Sequence, residues 1–196
     1  MVFGVTGGFA CGKSTVSKMF RDLGAKLIDA DKIAHVLLDS PKLKRSLVSY
    51  FGKDILTRQK KISRKKLANI VFSKPNSLRF LNSVVHPEVI KKLKSRIASF
   101  RNRILVLDIP LLYESRLENL VDYIVVVKCL KLICLKRAQE NNFSKSQALK
   151  IIQAQLPLRY KVEQADYVID NSYSLKKTNM EVKKTWRDML RKQNKK

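Results

Sequence analysis

Histidine and cysteine are scarce in this chain of 196 residues. It has two histidines and three cysteines, Cys11, Cys129 and Cys134, whose number and spacing fit neither a disulfide framework nor a structural zinc site. Its apolar runs are no longer than a strand, which excludes a bilayer-spanning helix. The first residues lack the basic start and apolar core of a secretory signal. We therefore expect a cytoplasmic protein without a membrane partner, built as one core with room for an insertion or a lid.

Acidic residues are also few, with 16 Asp and Glu against 41 Lys and Arg, a net charge of +25. Such an excess raises the possibility of nucleic-acid binding. No aromatic residues alternate with the basic ones, however, as they do on surfaces that stack bases. A site for polyphosphates needs part of this charge, and a solvated surface accounts for the rest. We therefore expect small-molecule partners rather than a nucleic acid, and the sequence gives no indication of an oligomeric state.

Residues 7–14 read Gly-Gly-Phe-Ala-Cys-Gly-Lys-Ser and match the phosphate-loop pattern. Its glycines let the backbone turn so that successive N–H groups point at the phosphates of a nucleotide. Lys13 adds a positive charge for the β and γ phosphates, and the Ser14 hydroxyl is placed to hold Mg²⁺. The residues predicted to bind the nucleotide in this stretch are Gly7, Gly8, Phe9, Ala10, Cys11, Gly12, Lys13, Ser14 and Thr15.

The flanks of the loop have the order strand, turn, helix. Residues 2–5 are short and mostly apolar, as in a buried strand, and Val16, Met19, Phe20 and Leu23 share one helical face that ends before a glycine. This order distinguishes a nucleotide-binding loop from a glycine-rich turn without a ligand. The sequence therefore predicts that the chain binds a nucleoside triphosphate.

Four further strand patterns, interleaved with helical ones, predict an α/β fold with a parallel five-stranded sheet in a three-layer P-loop core. They lie at residues 26–28, 104–108, 123–127 and 167–169. Residues 41–100 interrupt the alternation with helical patterns only, one of them beginning at Pro87. We expect a core of residues 1–40 and 101–196, with a lid of two helices at about 138–162. The helical insertion at 41–100 is expected to bind the second substrate. Its basic residues either bind an anionic group of that substrate or are only solvated.

Carboxylates follow two of the predicted strands. Asp29 and Asp31 are two residues apart, so that in an extended backbone both side chains lean to one side. Either could accept a proton from an attacking hydroxyl or cap the next helix. Asp108 ends a buried strand, where phosphate-loop proteins place the carboxylate that reaches Mg²⁺.

Several longer stretches make the chain resemble the dephospho-CoA kinase family of small-molecule P-loop kinases. The matching stretches include residues 5–14, Asp-Ala-Asp at 29–31 with Ile-Ala-His after it, Val-Val-His-Pro at 84–87, Asp-Ile-Pro-Leu-Leu-Tyr-Glu at 108–114 and Ile-Asp-Asn at 169–171. The resemblance runs from residue 2 to about 175. It implies transfer of the γ-phosphoryl of ATP, with Mg²⁺, to the ribose 3′-hydroxyl of dephospho-CoA, the last step of coenzyme A biosynthesis.

The resemblance also implies roles for single residues. Asp31 is the expected general base, Lys13 and Arg137 neutralise charge, and Asn171 belongs to the nucleotide site. Ser14 and Asp108 are the expected metal ligands. The expected acceptor-binding residues are Asp31, Arg64, His86, Pro110, Leu111, Glu114 and Lys161.

Alternatives remain at this stage. His86 could instead be a structural histidine. Asn141 stands where family members usually have a second lid arginine, so Arg137 would act with Arg159 or Lys161. Cys11 stands where serine is common; it is read either as a small residue that replaces serine or as a thiol beside a helix N-terminus, where a lowered pKa favours oxidation. The competing functions are a nucleoside or nucleotide kinase of similar architecture and a basic, nucleic-acid-associated NTPase.

Overall fold

The computed structural model describes residues 1–100 and 103–194, without the side chains of Phe72, Ser73 and Pro75. The end of the basic tail, Lys195 and Lys196, lies outside the described residues. The chain divides into a first unit, Met1–Asp29 with Ile97–Lys196, and a second unit, Ala30–Arg96. The domains predicted from the sequence stay a prediction, because a division by contacts does not test what each segment binds.

Five parallel strands form the sheet of the first unit, in the order β2-β3-β1-β4-β5. Apolar and β-branched residues fill them, as expected for strands covered on both faces. The strands are β1 (Val2–Gly7), β2 (Lys26–Asp29), β3 (Leu105–Asp108), β4 (Tyr123–Lys128) and β5 (Tyr167–Asp170). The predicted α/β class with a parallel five-stranded sheet is confirmed.

Helices occupy most of the remaining described chain. In chain order they are α1 (Lys13–Asp22), α2 (Ala30–Leu38), α3 (Pro41–Phe51), α4 (Arg64–Ser73), α5 (Pro75–Ser99), α6 (Lys131–Glu140), α7 (Lys145–Gln153), α8 (Leu158–Glu163) and α9 (Leu175–Gln193). Short 3₁₀ turns lie at Lys53–Ile55 and Glu118–Leu120. None of the helices in the described ranges is long and apolar enough to cross a membrane.

The core of the first unit lies between the sheet and helices α1 and α9. Phe3 of β1 packs edge-on against Phe20 of α1 with ring centroids 4.8 Å apart, and Trp186 of α9 lies 6.4 Å from Phe3. These side chains are buried, and such aromatic contacts contribute beyond the area that they remove from water. The packing fixes the start of α1, and hence the loop before it, against the sheet.

The carboxyl ends of β2, β3 and β1 meet at one edge of this sheet. Asp29 and Asp108 are register partners of the β2–β3 pair, and Asp108 is also the partner of Val5 in β1. Strand order reverses around β1, and ligands of open α/β sheets bind at this kind of reversal. The fold therefore brings both carboxylates to the edge from which the phosphate loop leaves β1.

The second unit has an apolar core of its own, formed by α2 to α5 and the first 3₁₀ turn. Its buried members are Leu38, Leu43, Leu47, Ile55, Ile62, Leu67, Val71 and Val85. Pro87 lies inside the continuous helix α5, so the prediction that a new helix begins there is wrong. A proline removes one backbone hydrogen bond, and the buried Val85 and Leu93 hold the flanking turns in place.

Two other local predictions also need correction. Helix α2 begins at Ala30, so Asp31 lies in its first helical turn and does not share an extended backbone with Asp29. A carboxylate in the first turn is stabilised by the helix dipole, which favours this earlier start. The lid segment has three helices and not the predicted two, because a further short helix, α8, follows Pro157. Ser144 and Gln147 form a capping box at the start of α7.

Candidate active site

The phosphate loop joins β1 to α1 through backbone conformations that few residues adopt. Gly7 and Gly12 have φ of 147° and 88°, and Ala10 between them has φ of 55°. Glycine takes such angles without steric cost, whereas alanine pays for them. The loop is therefore strained at Ala10, and backbone strain of this kind concentrates at binding sites.

Both glycines also stand where no side chain fits. A Cβ on Gly7 would collide with the carbonyl oxygen of Val127, and one on Gly12 would collide with Nδ2 of Asn171. The spacing of glycines in the motif thus has two physical causes here, a left-handed backbone and close packing against β4 and the segment after β5.

Asn171 and Arg137 hold the loop from within the first unit. Asn171 Nδ2 donates to the carbonyl oxygen of Cys11 at 2.8 Å, and Arg137 Nη1 donates to the same oxygen at 3.4 Å. Arg137 Nη2 donates to the Asn171 carbonyl at 3.0 Å, and the Thr178 hydroxyl donates to Asn171 Oδ1 at 2.9 Å. Asn171 is 2% exposed, so its side-chain amide holds the loop in its conformation from within the protein.

The start of α1 offers donors to an anion. Lys13 Nζ donates to the carbonyl oxygen of Gly8 at 2.8 Å, which folds the lysine over the loop. Gly12 precedes the helix without a side-chain cap among the described residues, and no acidic residue lies in the first turn. The first N–H groups and the dipole of a helix attract phosphate, and Ser14 and Thr15 are exposed beside them.

The oxygen donors at the sheet edge fit Mg²⁺. Asp108 is 6% exposed and adjoins Asp29 in register, and the Ser14 hydroxyl is exposed at the start of α1. No group of three or more His, Cys, Asp or Glu that could hold a metal occurs in the described ranges. Mg²⁺ prefers oxygen ligands and keeps several waters, so a serine and a carboxylate are enough when phosphates supply the others.

The loop also contacts the lid helices. The ring of Phe9 packs edge-on against Phe143, with centroids 5.3 Å apart, and adjoins a small apolar cluster. The buried members of that cluster are Leu135, Ala138 and Ala148, from α6 and α7. A change in the position of α6 or α7 is therefore transmitted directly to the phosphate loop.

Glu114 and Lys161, two of the predicted acceptor-binding residues, meet each other. Lys161 Nζ of α8 lies 2.7 Å from Oε1 of Glu114, at an angle outside hydrogen-bond geometry, so the contact is an ion pair. The lysine side chain is 0% exposed and the glutamate 17%. The same Oε1 accepts the backbone N–H of Leu156 at 3.0 Å. Burial raises the pKa of the neighbouring Tyr113 to about 12, so this phenol stays neutral.

Pro110 and Leu111 occupy the segment that follows β3. The Thr6 hydroxyl donates to the Pro110 carbonyl at 3.1 Å, which ties this segment to β1, and the Leu111 side chain is 40% exposed. Both residues lie beside Glu114 in sequence. The backbone of the predicted acceptor segment is thus anchored while an apolar side chain remains at its surface.

In the second unit, Asp31 lies in the first turn of α2, and His35 follows one turn later. Arg64 Nη1 lies 3.1 Å from Nδ1 of His35, and both line a pocket of ≈ 450 Å³ with Lys32. His86 lies on α5, where burial lowers the pKa of its imidazole. Lys32 and Arg64 bring positive charge to this pocket, and the carboxylate of Asp39 also lines it.

The structure thus groups the predicted residues in two sets. The first unit contains the phosphate loop, Gly7 to Thr15, together with Asp108, Arg137, Asn171 and the Glu114–Lys161 pair. The second unit contains Asp31, Arg64 and His86. Two residues were missed. Thr178 had no signal in the sequence, because only packing brings α9 to Asn171. His35 lay one helical turn after Asp31, a spacing that places both on one helix face.

Comparisons with known proteins agree on one family. A family model described as dephospho-CoA kinase matches residues 1–177. A curated dephospho-CoA kinase of Carboxydothermus hydrogenoformans is 42% identical, over 97% of this chain and 98% of that protein. The solved dephospho-CoA kinase of Campylobacter jejuni is 34% identical over 96% of both chains, with a TM-score of 0.72. A solved Thermus thermophilus protein reaches a TM-score of 0.83 at 27% identity, over 98% of this chain and 97% of its own.

Proposed function

This chain belongs to the dephospho-CoA kinase family, and on that premise we propose that it transfers the γ-phosphoryl of ATP to the ribose 3′-hydroxyl of dephospho-CoA. The products are CoA and ADP, and the reaction belongs to coenzyme A biosynthesis. The observation that carries the proposal is the phosphate loop, whose left-handed Gly7, Ala10 and Gly12 lead directly into an uncapped helix N-terminus.

ATP is the co-substrate and binds along the loop, with its phosphates against the backbone N–H groups of residues 8–15. Lys13 places its charge at the β and γ phosphates. Arg137 and Asn171 both donate to the Cys11 carbonyl, which fixes the backbone of the loop in one conformation for the phosphates. Transfer passes through a loose transition state, so accurate placement and positive charge supply most of the catalysis.

Ser14 and Asp108 are the residues that would hold Mg²⁺. The bound ion neutralises charge that develops on the transferring phosphoryl group. Asp29, the register partner of Asp108, adds negative charge at the same edge and strengthens the preference for a cation. Both carboxylates stay fixed because the strand register sets them.

Asp31 is proposed as the general base that orients the 3′-hydroxyl and accepts its proton during transfer. It lies in the first turn of α2, one helical turn before His35. Arg64 and His86 are proposed to bind the acceptor. The pyrophosphate of dephospho-CoA matches the positive charge of Lys32 and Arg64 in the pocket of the second unit.

The proposed lid uses Arg137 as its catalytic cation. Asn141, which stands in place of a second arginine, donates to the Arg137 carbonyl at 2.7 Å and so closes the end of α6. Arg159 forms an exposed ion pair with Glu163 on α8, and Lys161 pairs with Glu114. Pro110, Leu111, Glu114 and Lys161 are proposed to form the acceptor-facing wall, with the ion pair fixing its position.

The proposed setting is the cytoplasm, where the thiols of Cys11, Cys129 and Cys134 remain reduced, as they are here. A screen of phosphate acceptors with the purified chain tests the function. We expect transfer from ATP to dephospho-CoA and none to nucleosides or nucleoside monophosphates. Transfer to a nucleoside monophosphate alone would favour a nucleotide kinase, and ATP hydrolysis stimulated by RNA or DNA would favour a nucleic-acid-associated NTPase.

A further inference from the structure

Cys11 of the phosphate loop and Cys134 of α6 are in contact. Their Sγ atoms lie 3.3 Å apart although 123 positions separate the two residues. Cys11 is 1% exposed and Cys134 is 4% exposed, and both are free thiols. Gly8 makes this contact possible, because a Cβ at Gly8 would lie 2.8 Å from Cys11 Sγ.

The two thiols differ in their tendency to lose a proton. The hydrogen bond with Cys134 lowers the pKa of Cys11, and the charges of Lys13 and Arg137 lower it further against the effect of burial. The same hydrogen bond and burial raise the pKa of Cys134. The direction of the two shifts makes Cys11 the thiol that ionises more readily, and its contact with Cys134 sets the two sulfurs in position to react with each other.

We propose that Cys11 and Cys134 form a reversible disulfide that weakens nucleotide binding, an inference that rests on the proposed role of the loop in binding ATP. The oxidant is a hydroperoxide. Because Cys11 is 1% exposed, the loop has to open to admit the peroxide; the Cys11 thiolate then attacks the peroxide oxygen, the O–O bond breaks, and Cys11 becomes a sulfenic acid as hydroxide leaves. Cys134 Sγ then attacks Cys11 Sγ, the S–O bond breaks, and water leaves. In sum, two thiols and hydrogen peroxide give one disulfide and two waters.

We expect the bond to displace the loop. The two sulfurs of a disulfide lie about 2.05 Å apart. The Sγ atoms of Cys11 and Cys134 therefore have to approach each other by roughly 1 Å. Cys11 also provides the carbonyl that Arg137 and Asn171 hold. A shift of this size misplaces the N–H groups of the loop, and misplacement by about 1 Å can cost a hundredfold in rate. Because Arg137 lies on α6 with Cys134, the same bond constrains the lid.

Trypsin makes the pair easy to identify. Cleavage after lysine and arginine leaves Cys11 in the peptide 1–13, Cys129 in 129–131 and Cys134 in 132–136. The full-length chain is treated with hydrogen peroxide, blocked, and digested without reduction. We expect peptide 1–13 joined to 132–136, together with an at least tenfold weaker MgATP affinity by calorimetry, and recovery of both after dithiothreitol.

Two substitutions complete the test. Cys134→Ala, or Cys134→Ser if the alanine variant is poorly folded, should retain MgATP binding after peroxide treatment. Cys129→Ala removes the contacts of Cys129 Sγ with Asn171 and Arg137, so it is compared with its own reduced form, and it should still form the 1–13 to 132–136 cross-link and lose MgATP affinity on oxidation. Three results would each overturn the proposal. They are a cross-link from peptide 1–13 to peptide 129–131, a cross-linked chain with unchanged MgATP affinity, and an equal loss of MgATP binding in the Cys134 variants. If the reduced chain binds no MgATP, both the proposed function and the proposed effect of the disulfide on ATP binding are contradicted. The cross-linked peptides still show in that case whether Cys11 and Cys134 form a disulfide.

Discussion

Lys161 and Glu114 form an ion pair inside the first unit, with Nζ 2.7 Å from Oε1 and none of the lysine side chain exposed. A buried charge is costly unless it is paired, and the loss of one partner leaves the other uncompensated. The pair joins α8 to the segment after β3, which also holds the backbone of Leu156. It therefore links the end of the lid to a core strand.

Replacing Lys161 by methionine should destabilise the protein strongly. We expect the free energy of unfolding in urea to fall by about 3–5 kcal/mol, because Glu114 is left in a largely buried position without its partner. The double variant Lys161→Met with Glu114→Gln should recover part of this loss. Arg159→Met is the matched control, since its exposed pair with Glu163 contributes less than about 1 kcal/mol. A Lys161 variant as stable as the Arg159 variant would contradict the account.

Gly12→Ala should abolish tight ATP binding. The added methyl group collides with Asn171 Nδ2, which also holds the Cys11 carbonyl, so the loop must move. We expect at least a tenfold weaker MgATP affinity by calorimetry, on the scale of a misplaced binding loop. Gly24→Ala is the control, because Gly24 has φ of 110° but no atom within 4 Å of the added carbon. It should lose about 1–2 kcal/mol of stability and keep its affinity for ATP.

Asp31→Asn tests the assignment of the base. The variant keeps the size of the side chain and loses the acceptor for the proton of the 3′-hydroxyl. We expect turnover to fall at least about a hundredfold, the usual scale for loss of a general base, while MgATP affinity stays close to native. Asp54→Asn, an exposed carboxylate of the same unit, is the control. Retained turnover in the Asp31 variant would move the role to Asp108 or Asp29.

The order of strands and helices, and the glycines of the phosphate loop, could be predicted because local patterns encode them. The alternation of β-branched strands with amphipathic helices, and the capping box of Ser144, needed no long-range information. The continuity of α5 through Pro87 could not be predicted, since buried residues on both sides outweigh the proline. The start of α2 at Ala30 could not be predicted either, because an acidic residue such as Asp31 is as common in a turn before a helix as in the first turn of the helix itself.

The contacts that shape the site come from residues distant in sequence. The Cys11 carbonyl is held by Arg137 and Asn171, which lie 126 and 160 positions away. The sequence placed these residues in the site by resemblance, without indicating that two of their groups share one oxygen. Glu114 and Lys161 were likewise both predicted to bind the acceptor, and their pairing with each other depends on the position of α8.

The most direct test of the proposed reaction is the position at which the phosphoryl group arrives. ATP labelled in its γ-phosphoryl is incubated with Mg²⁺, the purified chain and either dephospho-CoA or its 3′-deoxy analogue, with AMP as a third acceptor. We expect label on the 3′-oxygen of dephospho-CoA in an amount equal to the ADP formed, and none on the other two acceptors. Equal labelling of the 3′-deoxy analogue, or transfer to AMP alone, would contradict the account.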